Sequence, residues 1–169
     1  MERNTRNRFA GIVTALLLIL LAACGGPAET KPSAAGNMTE GEQTYRVGET
    51  AMLFDIKATV NEVTKTGDYH QQILKDGTEF VLVKVTLENA GAETKRYHYA
   101  SFKLLSSGSE PDLNVTALDN GEELHEGELS PGARVTGIIP FEHPKNDPVM
   151  KLQFKPNPMS ERMIEFVLK

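Results

Sequence analysis

The chain has 169 residues, of which 40% are hydrophobic and 24% are charged, and these proportions are typical of one globular domain. A single cysteine and the absence of tryptophan exclude an internal disulfide framework and any zinc or redox site built on paired cysteines. The formal net charge is −5, and three arginines lie before Phe9, so the rest of the chain is more acidic still. This acidity argues against nucleic acid as a partner, because that affinity comes from basic groups that neutralise phosphates.

The N-terminus has the pattern of an exported protein. Basic residues precede an apolar run from Phe9 to Ala23. This run is shorter than the roughly 18 residues that a membrane-spanning helix needs, and its length suits the core of a signal peptide. We therefore predict that residues 1–23 are a signal peptide.

The signal peptide ends in a more specific motif. Leu21-Ala22-Ala23-Cys24 resembles the lipobox of bacterial lipoproteins. The resemblance implies transfer of a diacylglyceryl group to the Cys24 sulfur and cleavage before Cys24. Two acyl chains would anchor the protein durably at the extracytoplasmic face of the cell membrane, since each buried methylene contributes about 0.8 kcal/mol. The alternatives are an uncleaved membrane helix and a secretory signal in which the cysteine has no role.

Residues 24–44 are predicted to be the lipidated cysteine and a flexible linker. The segment is rich in glycine and proline, and Met38 is its one large apolar side chain, so it can bury too little surface to offset the entropy of ordering. A flexible linker of this length has a root-mean-square reach of about 25 Å. We expect one folded domain over residues 45–169.

Apolar and polar residues alternate along much of this domain, which predicts an almost all-β fold. In the clearest segment one face carries valine and leucine and the other carries mostly polar side chains, such as Lys84 and Thr86. The predicted core-facing residues are Val81, Val83, Val85 and Leu87; Ile56, Ala58 and Val60; Phe102 and Leu104; Val135, Ile139 and Phe141; Met150, Leu152 and Phe154; and Ile164, Phe166 and Leu168.

About seven short strands with one apolar face each predict two antiparallel sheets packed face to face, a β-sandwich. Turn signals such as Lys75-Asp-Gly-Thr78 and Ser130-Pro-Gly132 separate the strands. Pro140 interrupts one of them. Because proline has no N–H to donate, that strand is expected to lie at a sheet edge or to bulge at Pro140.

Several stretches of the body together carry a family resemblance. They are Tyr45-Arg-Val-Gly-Glu-Thr50, Phe80-Val-Leu-Val-Lys-Val-Thr-Leu-Glu-Asn-Ala-Gly91, Gly127-Glu-Leu-Ser-Pro-Gly132, Gly137, Phe141-Glu-His-Pro-Lys145 and Leu152-Gln-Phe-Lys-Pro156. This order resembles a widespread domain of unknown function that occurs on bacterial lipoproteins and secreted proteins and is similar to a secreted immunoprotective antigen. The resemblance implies an immunoglobulin-like sandwich over residues 45–169 and brings no catalytic residues.

The histidines do not have the spacing of metal ligands, and each is predicted to lie at the surface or in a turn. They are His70, His98, His125 and His143. His98 lies between Tyr97 and Tyr99, and these three residues are the weak candidates for a ligand-binding surface. The alternative is that the two tyrosine rings cover a sheet edge.

The acidic stretch 119–128 offers several oxygen ligands. It lacks the Asp-x-Asp-x-Asp-Gly spacing of calcium loops, so we predict a solvated acidic loop and no bound metal. Glycan hydrolysis would require two carboxylates among Asp112, Asp119, Glu122 and Glu123 to meet in space. The sequence has neither a Gly-x-Ser-x-Gly elbow nor a phosphate-binding glycine loop.

These observations favour a non-enzymatic, lipid-anchored binding or accessory protein without a cofactor. The predicted partners are the membrane, through Cys24, and either a small ligand or an envelope protein. The alternative function is a structural or assembly module that docks onto another envelope protein through an exposed edge strand. The third hypothesis is that the protein is an enzyme.

Overall fold

The computed structural model describes residues 43–107 and 121–169. Within these ranges the chain forms ten strands and one short 3-10 helix, Tyr99–Ser101, and contains no helix of the length and hydropathy needed to cross a membrane. The strands are β1 (Gln43–Arg46), β2 (Thr50–Leu53), β3 (Ile56–Thr66), β4 (Thr78–Asn89), β5 (Lys95–Tyr97), β6 (Phe102–Leu105), β7 (Gly127–Leu129), β8 (Arg134–Pro144), β9 (Lys151–Phe154) and β10 (Ile164–Val167).

The strands build two four-stranded sheets and one small pair. The first sheet has the order β1-β10-β9-β6, the second has the order β2-β3-β4-β8, and β5 pairs with β7. Neighbouring strands are antiparallel, except that β1 runs parallel to β10. Buried side chains of both larger sheets form one hydrophobic cluster. The predicted β-sandwich is therefore confirmed.

The predicted alternation is confirmed along β4. Val81, Val83, Val85 and Leu87 are buried, while Lys84 between them is exposed. The opposite sheet meets this face with larger side chains, including Phe102 and Phe154, whose rings stack with centroids 4.6 Å apart. Among the predicted core residues, Val135 alone is only half-buried.

The structure has more strands than the predicted seven. The strands without a sequence signal are β1, β2, β5 and β7, which have three or four residues each and, unlike the equally short β6, β9 and β10, carry no two large apolar residues at alternate positions. β1 also begins at Gln43, inside the segment predicted to be linker, because β10 supplies its hydrogen-bonding partner from the other end of the domain.

A β-bulge at Asn61 reverses the alternation of β3. Before it, Val60 faces the core opposite Val85; after it, Val63 shares the face of buried Val83. The extra residue turns Asn61 toward the outer face of the sheet, where its side-chain oxygen accepts a hydrogen bond from the Thr86 hydroxyl at 2.8 Å.

Pro140 lies on an edge strand, one of the two predicted alternatives. β8 pairs with β4 through Pro140 without a register shift. On its other side, the Leu124 N–H donates to the Ile138 carbonyl and the Ile138 N–H donates to the Glu122 carbonyl. Because strand backbone groups alternate, the Pro140 nitrogen faces this outer side too, where the β4 ladder needs no donor.

The predicted surface position of His143 is wrong. Its side chain is fully buried, with Nδ1 2.9 Å from the Pro144 carbonyl and Nε2 3.2 Å from the Val149 carbonyl. The alternation of β8 explains this burial, because Ile139, Phe141 and His143 all lie on the core-facing side.

Candidate functional site

On the outer face of the β2-β3-β4-β8 sheet, one threonine from each strand lies in a single row across the strands. Thr50 pairs with Thr59, Thr59 with Thr86, and Thr86 with Thr136. We call these four residues the threonine row. Their neighbours along each strand face the core, so the alternation of the strands directs all four hydroxyls to the solvent side.

Hydrogen bonds connect the hydroxyls of the threonine row. The Oγ1 atoms of Thr50 and Thr59 are 2.7 Å apart, and those of Thr86 and Thr136 are 2.8 Å apart. Thr86 donates its one O–H to Asn61, so Thr136 must donate to Thr86. Each hydroxyl also has two acceptor lone pairs, and within residues 43–107 and 121–169 no group donates to those of Thr136.

A second line of side chains lies beside the threonine row. Lys57 pairs with Glu88, and Glu88 pairs with Arg134, on three neighbouring strands. The Lys57 Nζ is 2.9 Å from one Glu88 oxygen, and the Arg134 Nη2 is 2.5 Å from the other. The hydrogen bond from Lys57 is the main cause that lowers the pKa of Glu88, so the carboxylate stays ionised. We call Lys57, Glu88 and Arg134 the charged row. It contains two positively charged side chains and one negatively charged side chain.

The two rows and Asn61 line one open groove of about 600 Å3. This volume is within the range of ligand sites, but the lining is polar where most ligand pockets are largely apolar. The lining contains no histidine, cysteine or aspartate. The groove is therefore equipped to hold a ligand by hydrogen bonds and charge.

A separate polar cluster surrounds Glu123. The Glu123 side chain has no solvent exposure, accepts a hydrogen bond from the Tyr69 hydroxyl at 2.7 Å, and lies 3.7 Å from the His70 Nε2. Burial raises the pKa of Tyr69, and the hydrogen bond to Glu123 raises it further, so the phenol remains a donor. His70 and Gln71 both have positive φ, at 51° and 60°, a strained backbone beside the cluster.

The Glu123 cluster corrects the predicted solvated acidic loop. Glu123 and Leu124 are buried, and Gly127–Leu129 forms β7. Glu122 is exposed while Glu123 is buried, so this pair does not face one cleft. Asp112 and Asp119 lie outside the described residues. Over the two described ranges, no three metal-ligating side chains gather in one place.

We expect Tyr69→Phe to destabilise the domain by about 1–3 kcal/mol, because it leaves the buried Glu123 carboxylate without this donor. Urea denaturation measures the change. The matched control is Tyr99→Phe, which removes a phenolic hydroxyl that makes no hydrogen bond with any described residue, and it should be near neutral. Equal losses in the two variants would contradict the assigned role of the Tyr69 hydroxyl.

The structure brings the rings of His98 and Tyr99 into contact and places Tyr97 over Gly127. Tyr97 covers Gly127 so closely that a Cβ there would be 2.6 Å from the tyrosine oxygen. His98 caps the 3-10 helix, its Nδ1 accepting from the Ala100 N–H at 2.9 Å, and its ring contacts that of Tyr99. Their binding role remains a hypothesis, and Cys24 lies outside the described residues.

The sequence analysis missed the threonine row. The outward positions of Thr59 and Thr86 follow from alternation, but the alignment of four threonines depends on strand register. Register between distant strands leaves no local signal in one sequence.

The geometry defines a two-sheet β-sandwich with a polar groove on one outer face. The model of the family "Domain of unknown function (DUF4352)" matches residues 45–164, and the chain belongs to this family. It is 27% identical to the uncharacterized lipoprotein YjhA of Bacillus subtilis (strain 168), a match that covers 63% of this chain and 55% of that protein. The chain thus spans little more than half the length of this relative.

Solved structures share the fold. The crystal structure of Bacillus subtilis YjhA has a TM-score of 0.57 at 22% identity, over 74% of this chain and 99% of that one. The secreted protein MPT63 of Mycobacterium tuberculosis has a TM-score of 0.58 at 12% identity, over 76% of this chain and 99% of that one. These matches confirm the predicted likeness to lipoproteins and secreted sandwich proteins.

Proposed function

We propose that this protein is a lipid-anchored, extracytoplasmic, non-enzymatic binding protein, and that its ligand occupies the groove over the threonine row and the charged row. The observation that supports the proposal most directly is that strand pairing aligns the threonine row across all four strands of one sheet, beside the charged row. Hydrogen-bonding and charged groups are concentrated there, and the lining offers no activated nucleophile.

The anchor and the domain order are part of the proposal. Residues 1–23 act as signal peptide, Cys24 carries the diacylglyceryl group, and a linker connects it to the sandwich, which begins with β1 at Gln43. The motif Leu21-Ala22-Ala23-Cys24 and the lipoprotein name of the Bacillus subtilis relative support this arrangement. The anchor would hold the groove at the outer side of the cell membrane.

We expect Cys24→Ala to move the protein from the membrane fraction to the soluble fraction, because the thiol is the acceptor of the lipid. Intact-mass measurement of the membrane-extracted wild type should give a chain that begins at Cys24 and carries the lipid. An unmodified chain that still begins at Met1 would contradict the proposal.

The groove is tested by sedimentation with envelope fragments that have been stripped of protein by protease. Every protein in this test carries Cys24→Ala, so that no lipid anchor holds it on the fragments, and this parent chain should sediment with them. Thr86→Tyr, which places a bulky ring in the centre of the threonine row, should abolish sedimentation. The control Thr64→Tyr, at an exposed position of β3 outside the groove, should sediment like the parent chain.

A second candidate function is docking onto an envelope protein. In the described part of the chain, β2 pairs with β3 only as far as Thr59, so residues 62–66 of β3 have β4 on one side and no strand on the other. Such an edge can accept a strand from a partner. Sedimentation that needs intact envelope protein and is insensitive to Thr86→Tyr would favour docking over the groove.

A further inference from the structure

The threonine row also indicates a class of ligand. We infer that the groove binds a linear polysaccharide that carries acidic groups, with the sugar chain running across the strands. This inference rests on the proposed function and adds the chemistry of the ligand.

The spacing of the threonine hydroxyls fits a linear sugar chain. Neighbouring strands in a sheet lie about 4.8 Å apart, so the threonine row presents a hydroxyl at each such step across four strands. That step is close to the length of one pyranose ring in an extended polysaccharide. A linear sugar chain perpendicular to the strands would therefore meet one threonine with each successive sugar.

The hydrogen-bonding groups of the groove suit a sugar better than a peptide. The face presents side chains, and at the groove the backbone groups of β4 and of residues 56–59 of β3 are used within the sheet, so an extended peptide has no backbone partners there. The Thr50 and Thr59 pair keeps one O–H free to donate, and Thr136 keeps two lone pairs. A surface with both donors and acceptors at short intervals matches a ligand whose hydroxyls act as both.

The positive charge of the groove favours an acidic ligand. The Arg134 side chain is 68% exposed and that of Lys57 is 40% exposed, while Glu88 between them is only 18% exposed. The two cations therefore extend further into solvent than the anion does. Arg134 contacts Glu88 through Nη2, and a guanidinium has five N–H donors, more than this carboxylate uses, so Arg134 can also donate to a carboxylate or phosphate on the ligand.

The test is calorimetric titration of the full chain in detergent micelles with a hexagalacturonide, a linear sugar chain with one carboxylate per ring. The matched ligand is its methyl ester, which has the same backbone without the charges. We expect the acid to bind and the ester to bind about tenfold more weakly, since charge-assisted hydrogen bonds are lost.

Two substitutions measure the contributions of the threonine row and the charged row to binding separately. Thr86→Val should weaken binding of the hexagalacturonide about fivefold, and Arg134→Gln about tenfold, the latter with a smaller dependence on salt. The controls are Thr64→Val and Arg96→Gln, both exposed outside the groove, which should bind like the wild type. Thermal unfolding checks that all four variants are folded.

Two results would overturn the inference and leave the proposed function intact. One is that hexaglutamate binds as tightly as the hexagalacturonide and with the same variant sensitivity, which would indicate an acidic peptide ligand. The other is that neither sugar binds although the chain still sediments with protein-free envelope fragments through Thr86. Failure of both the titration and the sedimentation would reject the proposed function as well.

Discussion

Replacement of Val83 by aspartate is expected to remove most or all of the stability of the domain. Val83 has no solvent exposure, and it lies between Val63 of β3 and Ile139 of β8 in the centre of the second sheet. An unpaired carboxylate there costs several kcal/mol in desolvation, which rivals the 5–15 kcal/mol total stability of a typical domain. Urea denaturation of the unlipidated Cys24→Ala chain, monitored by circular dichroism, measures the loss in the free energy of unfolding.

Lys84→Asp is the matched control for Val83→Asp. Lys84 is the next residue of β4, and its side chain points to the exposed face of the same sheet. Exposed substitutions of this kind usually change stability by less than about 1 kcal/mol. Similar losses at the two positions would contradict the assignment of β4 to one buried and one exposed face, and with it the two-layer sandwich.

Gly137→Ala is expected to cost about 3 kcal/mol, because a Cβ at this position has no room. It would lie 2.5 Å from the Leu124 nitrogen and 2.6 Å from the Leu124 Cα, and these are backbone atoms that cannot rotate away. The segment 122–124 must therefore move off β8. Its two backbone hydrogen bonds to Ile138 would weaken, and the buried Leu124 side chain would lose packing.

Gly67→Ala is the control for this effect. A Cβ on Gly67 meets no atom within 4 Å, and Gly67 is not among the positive-φ glycines, so we expect a change within about 0.5 kcal/mol. Amide hydrogen exchange adds a local measurement, since the Leu124 and Ile138 amides should lose protection in Gly137→Ala alone. Unchanged protection at these two amides would contradict the close approach of the segment to β8.

The Glu123 cluster lies beside the sheet whose outer face carries the groove, and we propose different roles for the two. Tyr69 and Glu123 join the β3–β4 connection to the segment along β8 and so support the edge of the sheet. The threonine row uses the open outer face. Substitutions at Tyr69 should therefore change stability, whereas substitutions at Thr86 should change binding.

The sequence by itself determined the strands that carry alternating large apolar residues, β3, β4, β6, β8, β9 and β10, and most of the residues that they bury. Apolar and polar side chains alternate along β4 because one face of the strand is buried, and this burial supplies most of the driving force for folding. The sequence also limited the position of Pro140 to a sheet edge or a bulge, because proline has no N–H to donate to a neighbouring strand. These features depend on properties of a residue and its near neighbours, and one sequence displays them directly.

Only the tertiary structure decided which distant residues meet. The position of Thr136 beside Thr86 depends on the register of β8 on β4, and a shift of one residue would turn the threonine toward the core. Glu123 is buried, and its hydrogen-bond donor Tyr69 lies far away along the chain. The groove therefore exists because several strands pair in one register, and the energy that selects that register is distributed over the whole core.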